Sequence, residues 1–205
     1  MTLAKPRPTN PISIFFFGAF RAALSGPDLD ARIGYCTSKK LAYVGYKCHL
    51  ICSSDDMTAL DFEVTPANVH DSKLFIPLTS NLISRGFLSL VKESFGDNAY
   101  NTKVNREFCE EKRIKASFHT KEETGKTPKK KRSARKKSRK RSKIETVFGI
   151  SHENMGFGSV RVRGLRRVVI DTALIFIGWN FGILYSFYID RLVDRISLKR
   201  LLYKN

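Results

Sequence analysis

The chain has 205 residues, of which 42% are hydrophobic, so it is long enough for one domain with a packed core. This composition excludes a wholly disordered protein. The formal net charge of +18 indicates a polyanionic partner. Nucleic acid fits that charge better than an anionic membrane surface, because phosphate contacts release bound counterions.

The elements predicted along the chain alternate between strands and helices. An apolar stretch at 12–20 has high β-propensity and is ended by Arg21. Segments 43–53 and 59–64, joined by a polar turn, predict a β-hairpin. The remaining predicted elements are a helix capped by Asp71 or Ser72 and ending before Gly86, a strand-like segment at 87–95, a helix at 103–113, a strand at 114–118, a helix from 144 that Gly156 and Gly158 interrupt, and a long helix from Leu165.

Four cysteines allow a structural zinc hypothesis, but their spacing argues against it. Cys48 and Cys52 lie in one predicted strand, where positions i and i+4 are about 13 Å apart and cannot share one ion. Cys36 and Cys109 add no second close pair. We therefore predict buried free thiols in a reducing cytoplasm.

The segment 168–189 is long enough to span a bilayer and contains a single charged residue, Asp171. Polar residues recur within it, and both of its flanks are basic, so no orientation is specified. We interpret it as a buried core helix and predict no stable membrane association. A small basic membrane protein anchored by this segment is the alternative.

Residues 121–143, which we call the basic tract, hold thirteen Lys or Arg and two Glu. The tract has no aromatic residue and almost no apolar one, so it cannot join a core. It would contact phosphates without stacking on bases. Its first dense block is Lys129, Lys130, Lys131 and Arg132. A solvated linker is the simpler interpretation of this charge.

Five motifs that occur in order carry a resemblance to a known family. They are GYKCHL at 45–50, VTPANVHDSKLF at 64–75, GDNAYNTKVNREFCEEKRI at 96–114, RSKIETVFGI at 141–150 and VRGLRRV at 162–168. Over residues 27–187 the chain resembles the catalytic domain of bacterial insertion-sequence transposases of the DDE type. The resemblance implies an α/β fold, a ribonuclease-H-like mixed sheet flanked by helices.

The resemblance also implies three segments in the chain. These are a non-matching N-terminal segment at 1–26, a partial catalytic domain at 27–190 that includes the basic tract as a linker, and a basic tail at 191–205.

The same resemblance implies that Asp97 is the second catalytic aspartate and Glu145 the catalytic glutamate. In such enzymes three carboxylates hold two Mg²⁺ ions about 3.5–4 Å apart, which support in-line phosphoryl transfer on DNA. Asp97 and Glu145 are therefore the expected catalytic and metal-binding residues. Taken singly, each has a simpler interpretation, a turn aspartate and an ordinary acid at a helix start.

Around the glutamate, the family signature places a tyrosine, an arginine and a lysine at fixed spacing. Arg141 matches the arginine, whereas Ser138 stands at the tyrosine position and His152 at the lysine position. Arg141, Lys143 and His152 are expected to contact DNA together with the dense block of the basic tract. Because histidine is mostly neutral at pH 7, the contact at His152 is expected to be weak.

The first aspartate of the family lies on the first, central strand, but the corresponding stretch here, residues 10–24, contains no acid. We predict that residues 12–20 occupy this strand without supplying its chemistry. Asp28 and Asp30 follow in a turn-like segment and are poor substitutes. The chain is therefore expected to be a truncated, inactive copy that is cytoplasmic in a bacterium and associated with DNA.

Two alternatives accompany this interpretation. The chain could be one half of a transposase split across two reading frames, with a partner chain supplying the first strand. It could instead be a non-enzymatic DNA-binding protein that uses the basic tract. The expected partners are the DNA of element ends and targets and a second copy of the chain.

Overall fold

The computed structural model of the chain describes residues 12–23, 28–36, 40–87, 91–118 and 145–188. Four strands come first, and helices and strands alternate after them. In chain order they are β1 (Ile12–Ala23), β2 (Arg32–Cys36), β3 (Leu41–Ser53), β4 (Ala59–Pro66), α1 (Phe75–Leu82), β5 (Val91–Gly96), α2 (Lys103–Glu111), β6 (Lys115–Phe118), α3 (145–154), β7 (Ser159–Val160) and α4 (Leu165–Tyr188).

One mixed sheet organises the fold. Its strands run in the order β2-β3-β1-β5-β6, while β4 pairs with β3 and β7 pairs with β1. The pairs β1–β3 and β3–β4 are antiparallel, whereas β5 and β7 lie parallel to β1 and β6 lies parallel to β5. The predicted mixed sheet flanked by helices is confirmed.

Strand β1 lies at the centre of this sheet. On one edge it pairs with β3 from Ile14 opposite Ser53 to Ala22 opposite Gly45. On the other edge it pairs with β5, where Phe15 is the partner of Phe95. The apolar run predicted to replace the first strand of the family therefore does form a central strand, and it continues past Arg21 to Ala23.

Strand β2 is not among the predicted elements, because residues 26–34 resemble a polar loop that follows the first strand. It pairs antiparallel with the first half of β3, from Arg32 opposite Gly45 to Cys36 opposite Leu41. Gly34 is needed in this hairpin because a Cβ there would lie 2.5 Å from Oη of Tyr43. The pairing is tertiary information that the short segment does not carry in its own pattern.

The predicted helix caps at Asp71 and Ser72 were wrong. A 3₁₀ turn, Asp71–Leu74, precedes α1, and its N-cap is His70, whose ring nitrogen accepts a hydrogen bond from the backbone N–H of Ser72. The expected terminator is in place, since Gly86 has φ +86° just after the helix.

Helices cover both faces of the sheet, and each face has its own core. Along β3, Tyr46 and Leu50 belong to a cluster with residues of α3 and α4, while Ile51 belongs to a cluster with residues of α1 and α2. This alternation follows from the two-residue period of a strand. Cys48, Cys52 and Cys109 are buried thiols within these clusters, as predicted, whereas the side chain of Cys36 lies outside the described part of the structure.

Helix α4 is buried along one face only. Trp179 is 2% exposed, and its indole N–H donates to the carbonyl of Met57. Asn180 accepts from the backbone N–H of Ala59 and donates to its carbonyl, both at 2.9 Å. By length and composition α4 could also cross a membrane, and 28% of its apolar 18-residue stretch is buried.

Candidate functional site

Asp97 directly follows β5 and is held by a tight turn. Its backbone is extended, and its Oδ1 accepts a hydrogen bond of 2.8 Å from the N–H of Ala99, so that it caps the short 3₁₀ turn Asn98–Tyr100. Gly96 lies close against the buried ring of Tyr100, because a Cβ there would be 3.0 Å from that ring. The position of the Asp97 carboxylate is therefore fixed by the strand end and by the turn.

Asp97 and Glu145 lie on the same side of the sheet. Phe95, two residues before Asp97, packs in the cluster that contains Val147 and Phe148 of α3. Glu145 is an exposed residue in the same turn of α3 as these two. Because side chains in a strand alternate between faces, Asp97 continues the face of Phe95. The two acids expected from the sequence thus share the side covered by α3.

The third acid of the expected set has no counterpart on β1. Continuing the parallel register from Phe15 and Phe95 places Phe17 level with Asp97. Residues 12–23 contain neither Asp nor Glu. Among the residues that the structure describes, no group of three His, Cys, Asp or Glu could hold a metal ion. Within the described residues, Asp97 and Glu145 are therefore fewer carboxylates than a two-metal centre needs.

Asp28 and Asp30, the weak candidates for the missing ligand, are used elsewhere. Oδ2 of Asp28 accepts from the hydroxyl of Tyr46 at 2.6 Å and from the N–H of Gly164 at 3.1 Å. Oδ2 of Asp30 accepts from the N–H of Leu165 at 2.9 Å. The two carboxylates thus satisfy amides at the start of α4, where a helix leaves its N–H groups unpaired.

The same hydrogen bonds shift the pKa values of Asp28 and Tyr46. Burial alone would raise the pKa of Asp28, but the hydrogen bonds from Tyr46 and the backbone amides outweigh it and lower this pKa below its usual value. Burial and the neighbouring Asp28 carboxylate raise the pKa of Tyr46. Asp28 is therefore a charged acceptor in a structural clamp between β3 and α4.

Two of the sequence motifs meet in a partly buried polar cluster on the other face of the sheet. Lys47 and His49 come from the first motif, Thr65 and Asp71 from the second. Lys47 Nζ lies 3.0 Å from Asp71 Oδ1, and His49 Nε2 lies 3.0 Å from Thr65 Oγ1. Burial lowers the pKa of His49 to about 4, an effect that Asp71 opposes and Lys47 reinforces. This cluster joins β3, β4 and the start of α1, which sequence reasoning did not foresee.

The residues predicted to contact DNA are only partly within the described chain. His152 is exposed on α3, with its ring close to Gly158, where a Cβ would lie 2.0 Å from Nε2. The others lie outside the described residues: Lys129, Lys130, Lys131, Arg132, Arg141 and Lys143.

A model of the transposase DDE domain matches residues 16–181, so the chain belongs to this family of transposase domains. The match begins within β1, the strand that carries no acid. None of the curated proteins compared with the chain matches it.

Solved structures similar to the chain include a transposase and an integrase. A piggyBac transposase synaptic complex with hairpin DNA aligns with a TM-score of 0.56 and 9% identity over 95% of this chain and 52% of that chain, which supports the fold. The integrase catalytic core domain of HTLV-2 in complex with magnesium aligns with a TM-score of 0.32 and 16% identity over 54% of this chain. The chain spans 60% of that integrase chain and about half of the piggyBac chain.

Proposed function

We propose that this chain is a DNA-binding transposase domain that does not cleave or transfer DNA strands by itself. One observation carries the proposal: β1, the central strand whose register with β5 leads to Asp97, contains neither Asp nor Glu. Loss of a ligand from a two-metal site weakens metal binding and removes charge stabilisation from the reacting phosphate. Family membership and the net charge of +18 support DNA as the partner.

The test compares binding and cleavage by the full chain and by Glu145→Gln. Supercoiled plasmid carrying the ends of an insertion sequence is incubated with each protein in Mg²⁺ or Mn²⁺, and the nicked fraction is measured. We expect both proteins to bind DNA equally and neither to nick it. If the unchanged chain nicks DNA in the presence of metal and Glu145→Gln abolishes the nicking, the proposal that the chain is inactive is wrong. Another residue would then complete the active site.

DNA binding should be largely electrostatic. The basic tract supplies thirteen Lys or Arg, so affinity should fall steeply with salt and depend little on sequence. Removing residues 129–143 should flatten the dependence of log Kd on log salt. An unchanged dependence would show that this tract does not contact DNA. Recognition of element ends and targets, and residence on bacterial DNA in the cytoplasm, belong to the same proposal.

We infer that α4 is a core helix and that the chain does not associate stably with membranes. Trp179 and Asn180 hold α4 to backbone atoms of Met57 and Ala59, contacts that suit a helix packed on a sheet. Carbonate extraction of cells expressing the chain tests this inference. The chain should be released with the carbonate-soluble fraction, and retention in the membrane pellet would contradict it.

Self-association of the chain is also a proposal, supported by the exposed face of α4. Apolar residues 50–87% exposed recur there at spacings of three and four, as in a coiled-coil seam: Ile170, Leu174, Ile177, Phe181, Leu184 and Tyr188. They expose about 800 Å² if each side chain has roughly 200 Å² in full, close to what one partner of a stable dimer buries. Light scattering should give a dimer mass that Leu174→Glu with Phe181→Glu reduces to a monomer.

A further inference from the structure

Four arginines project from one short segment between β7 and the first turn of α4. All four are exposed, and we call them the arginine surface: Arg161, Arg163, Arg166 and Arg167. None of them forms an ion pair with a residue in the described part of the chain. Because these guanidinium groups lie close together without ion pairs in the described part of the chain, the surface has a strong positive electrostatic potential.

The nearest acids reduce this potential without cancelling it. The carboxylates of Asp28 and Asp30 accept hydrogen bonds from the amides of Gly164 and Leu165 within the same segment. These bonds leave the guanidinium groups to solvent. Arg32, two positions after Asp30, donates to the carbonyl of Ala31.

The sheet register places the arginine surface beyond Asp97 on the same edge of β1. At Ala22 the other edge is taken by Gly45 of β3, so β7, which pairs with Ala22 and Ala23, must lie on the edge that β5 uses. Strand β5 pairs only with the start of β1, up to Phe15. A gap of six positions, 16–21, separates the two, or about 20 Å at the usual rise per residue. Asp97 comes at one end of this gap, and the arginine surface follows β7 at the other.

We propose that the arginine surface binds the phosphate backbone of DNA and holds a strand across this gap, independently of the basic tract. The proposal rests on the DNA-binding function proposed above and adds a second, structured contact to it. Arginine suits the role because its planar guanidinium donates two hydrogen bonds to one phosphate. A gap of about 20 Å corresponds to on the order of six nucleotide steps of one duplex strand. Contacts to phosphate carry no sequence information, so binding at this surface is independent of sequence.

The test removes four charges from the full chain in two alternative places. One variant is R161Q/R163Q/R166Q/R167Q. The matched control is K103Q/R106Q/K112Q/K115Q, which removes four cations from α2 and β6, three of them paired with glutamates. Binding to a labelled 30-base-pair duplex is titrated between 50 and 200 mM salt, which are the conditions over which phosphate contacts weaken most visibly. Thermal melting of each protein verifies its fold.

We expect the first variant to lower the slope of log Kd against log salt by about three to four. The control should change the slope by less than about one. Equal slopes for the two variants would overturn the proposal. If the quadruple variant does not fold, Arg163→Gln and Arg166→Gln are measured singly, and each should lower the slope by about one.

Deleting residues 129–143 tests DNA binding by the arginine surface separately from DNA binding by the whole chain. The deleted chain should keep salt-dependent binding, and that binding should disappear when the arginine surface is also replaced. If the unchanged chain binds no DNA at any salt concentration, the proposed function itself fails. If it binds and the deletion alone removes all binding, the proposed function stands and the arginine surface is refuted.

Discussion

Phe15 of β1 and Phe95 of β5 are partners in a parallel strand pair, and this pairing fixes where Asp97 lies along β1. Two residues further on, Phe17 comes level with Asp97. Position 17 is also the partner of Leu50 on β3, whose side chain packs in the same cluster as Phe95. Since directly paired residues share a face, a carboxylate introduced at 17 would lie on the side of Asp97 and α3.

Replacing Phe17 with aspartate should therefore strengthen metal binding relative to the unchanged chain. With free Mn²⁺ at ten times its Kd, the bound ion would stabilise the fold by about 1.4 kcal/mol. In a domain of this size that raises the Tm by about 3–6 °C. Differential scanning calorimetry with and without Mn²⁺ measures the change, and the nicking assay shows whether cleavage returns.

Two controls sharpen the Phe17→Asp experiment. Phe16→Asp adds the same charge one position away, where the strand alternation puts it on the opposite face, and should give no metal-dependent stabilisation. Asp97→Asn in the Phe17→Asp protein should abolish the stabilisation. Equal Mn²⁺ effects at positions 16 and 17 would show that the register argument is wrong.

The assignment of Asp97 and Glu145 stays a prediction that comes from the resemblance, because the residues around each acid also allow a simpler interpretation. Asp97 stands between a strand and a turn with Gly96 before it, and Glu145 precedes an apolar pattern typical of a helix. The absence of Asp and Glu from β1 could also be predicted, because it can be seen directly in the sequence. The register between β1 and β5, which brings Phe17 level with Asp97, could not be predicted. It depends on contacts between segments that are distant in the chain.

Removing the Asp28 carboxylate should destabilise the fold more than an ordinary loop change. Asp28→Ala leaves the buried Tyr46 hydroxyl and the Gly164 amide without their acceptor, at a cost of about 2–4 kcal/mol in the free energy of unfolding. Leu29→Ala is the matched control, because Leu29 is 88% exposed and its loss should change stability by less than about 0.5 kcal/mol. Urea denaturation measures both variants.

A double-mutant cycle then isolates the Tyr46–Asp28 hydrogen bond. Tyr46→Phe alone should cost about 1–2 kcal/mol, and in the Asp28→Ala protein it should cost much less, because the bond is already gone. Additive losses would mean that the clamp does not act through this bond. The contact could not be predicted, since the residues that meet at Asp28 include Gly164, which lies 136 positions away.

The buried imidazole of His49 should make the fold acid-sensitive. Its pKa of about 4 lies below the ordinary 6.5, so between these values the unfolded chain binds a proton that the folded chain does not. Stability therefore falls as the pH decreases through this window, by at most about 3 kcal/mol from this group. His49→Gln should keep a contact with Thr65 and reduce the loss between pH 6.5 and 4.

The matched control for His49 is His152→Gln, because His152 is exposed on α3. Its pH dependence of stability, measured by urea denaturation at half-unit steps, should follow that of the unchanged chain. If His49→Gln also follows the unchanged chain, the buried imidazole is not the source of the acid sensitivity.

Adjacent residues of α4 should differ sharply in their effect on stability. Asn180 makes both hydrogen bonds to the backbone of Ala59, whereas Phe181 is 65% exposed. Asn180→Leu leaves the N–H and carbonyl of Ala59 unpaired and should cost about 2–4 kcal/mol, while Phe181→Ala should cost less than about 0.5 kcal/mol in the monomer. Calorimetry at low protein concentration measures both variants. The opposite order would indicate that the exposed stripe of α4, rather than its sheet-facing side, carries the packing of this helix.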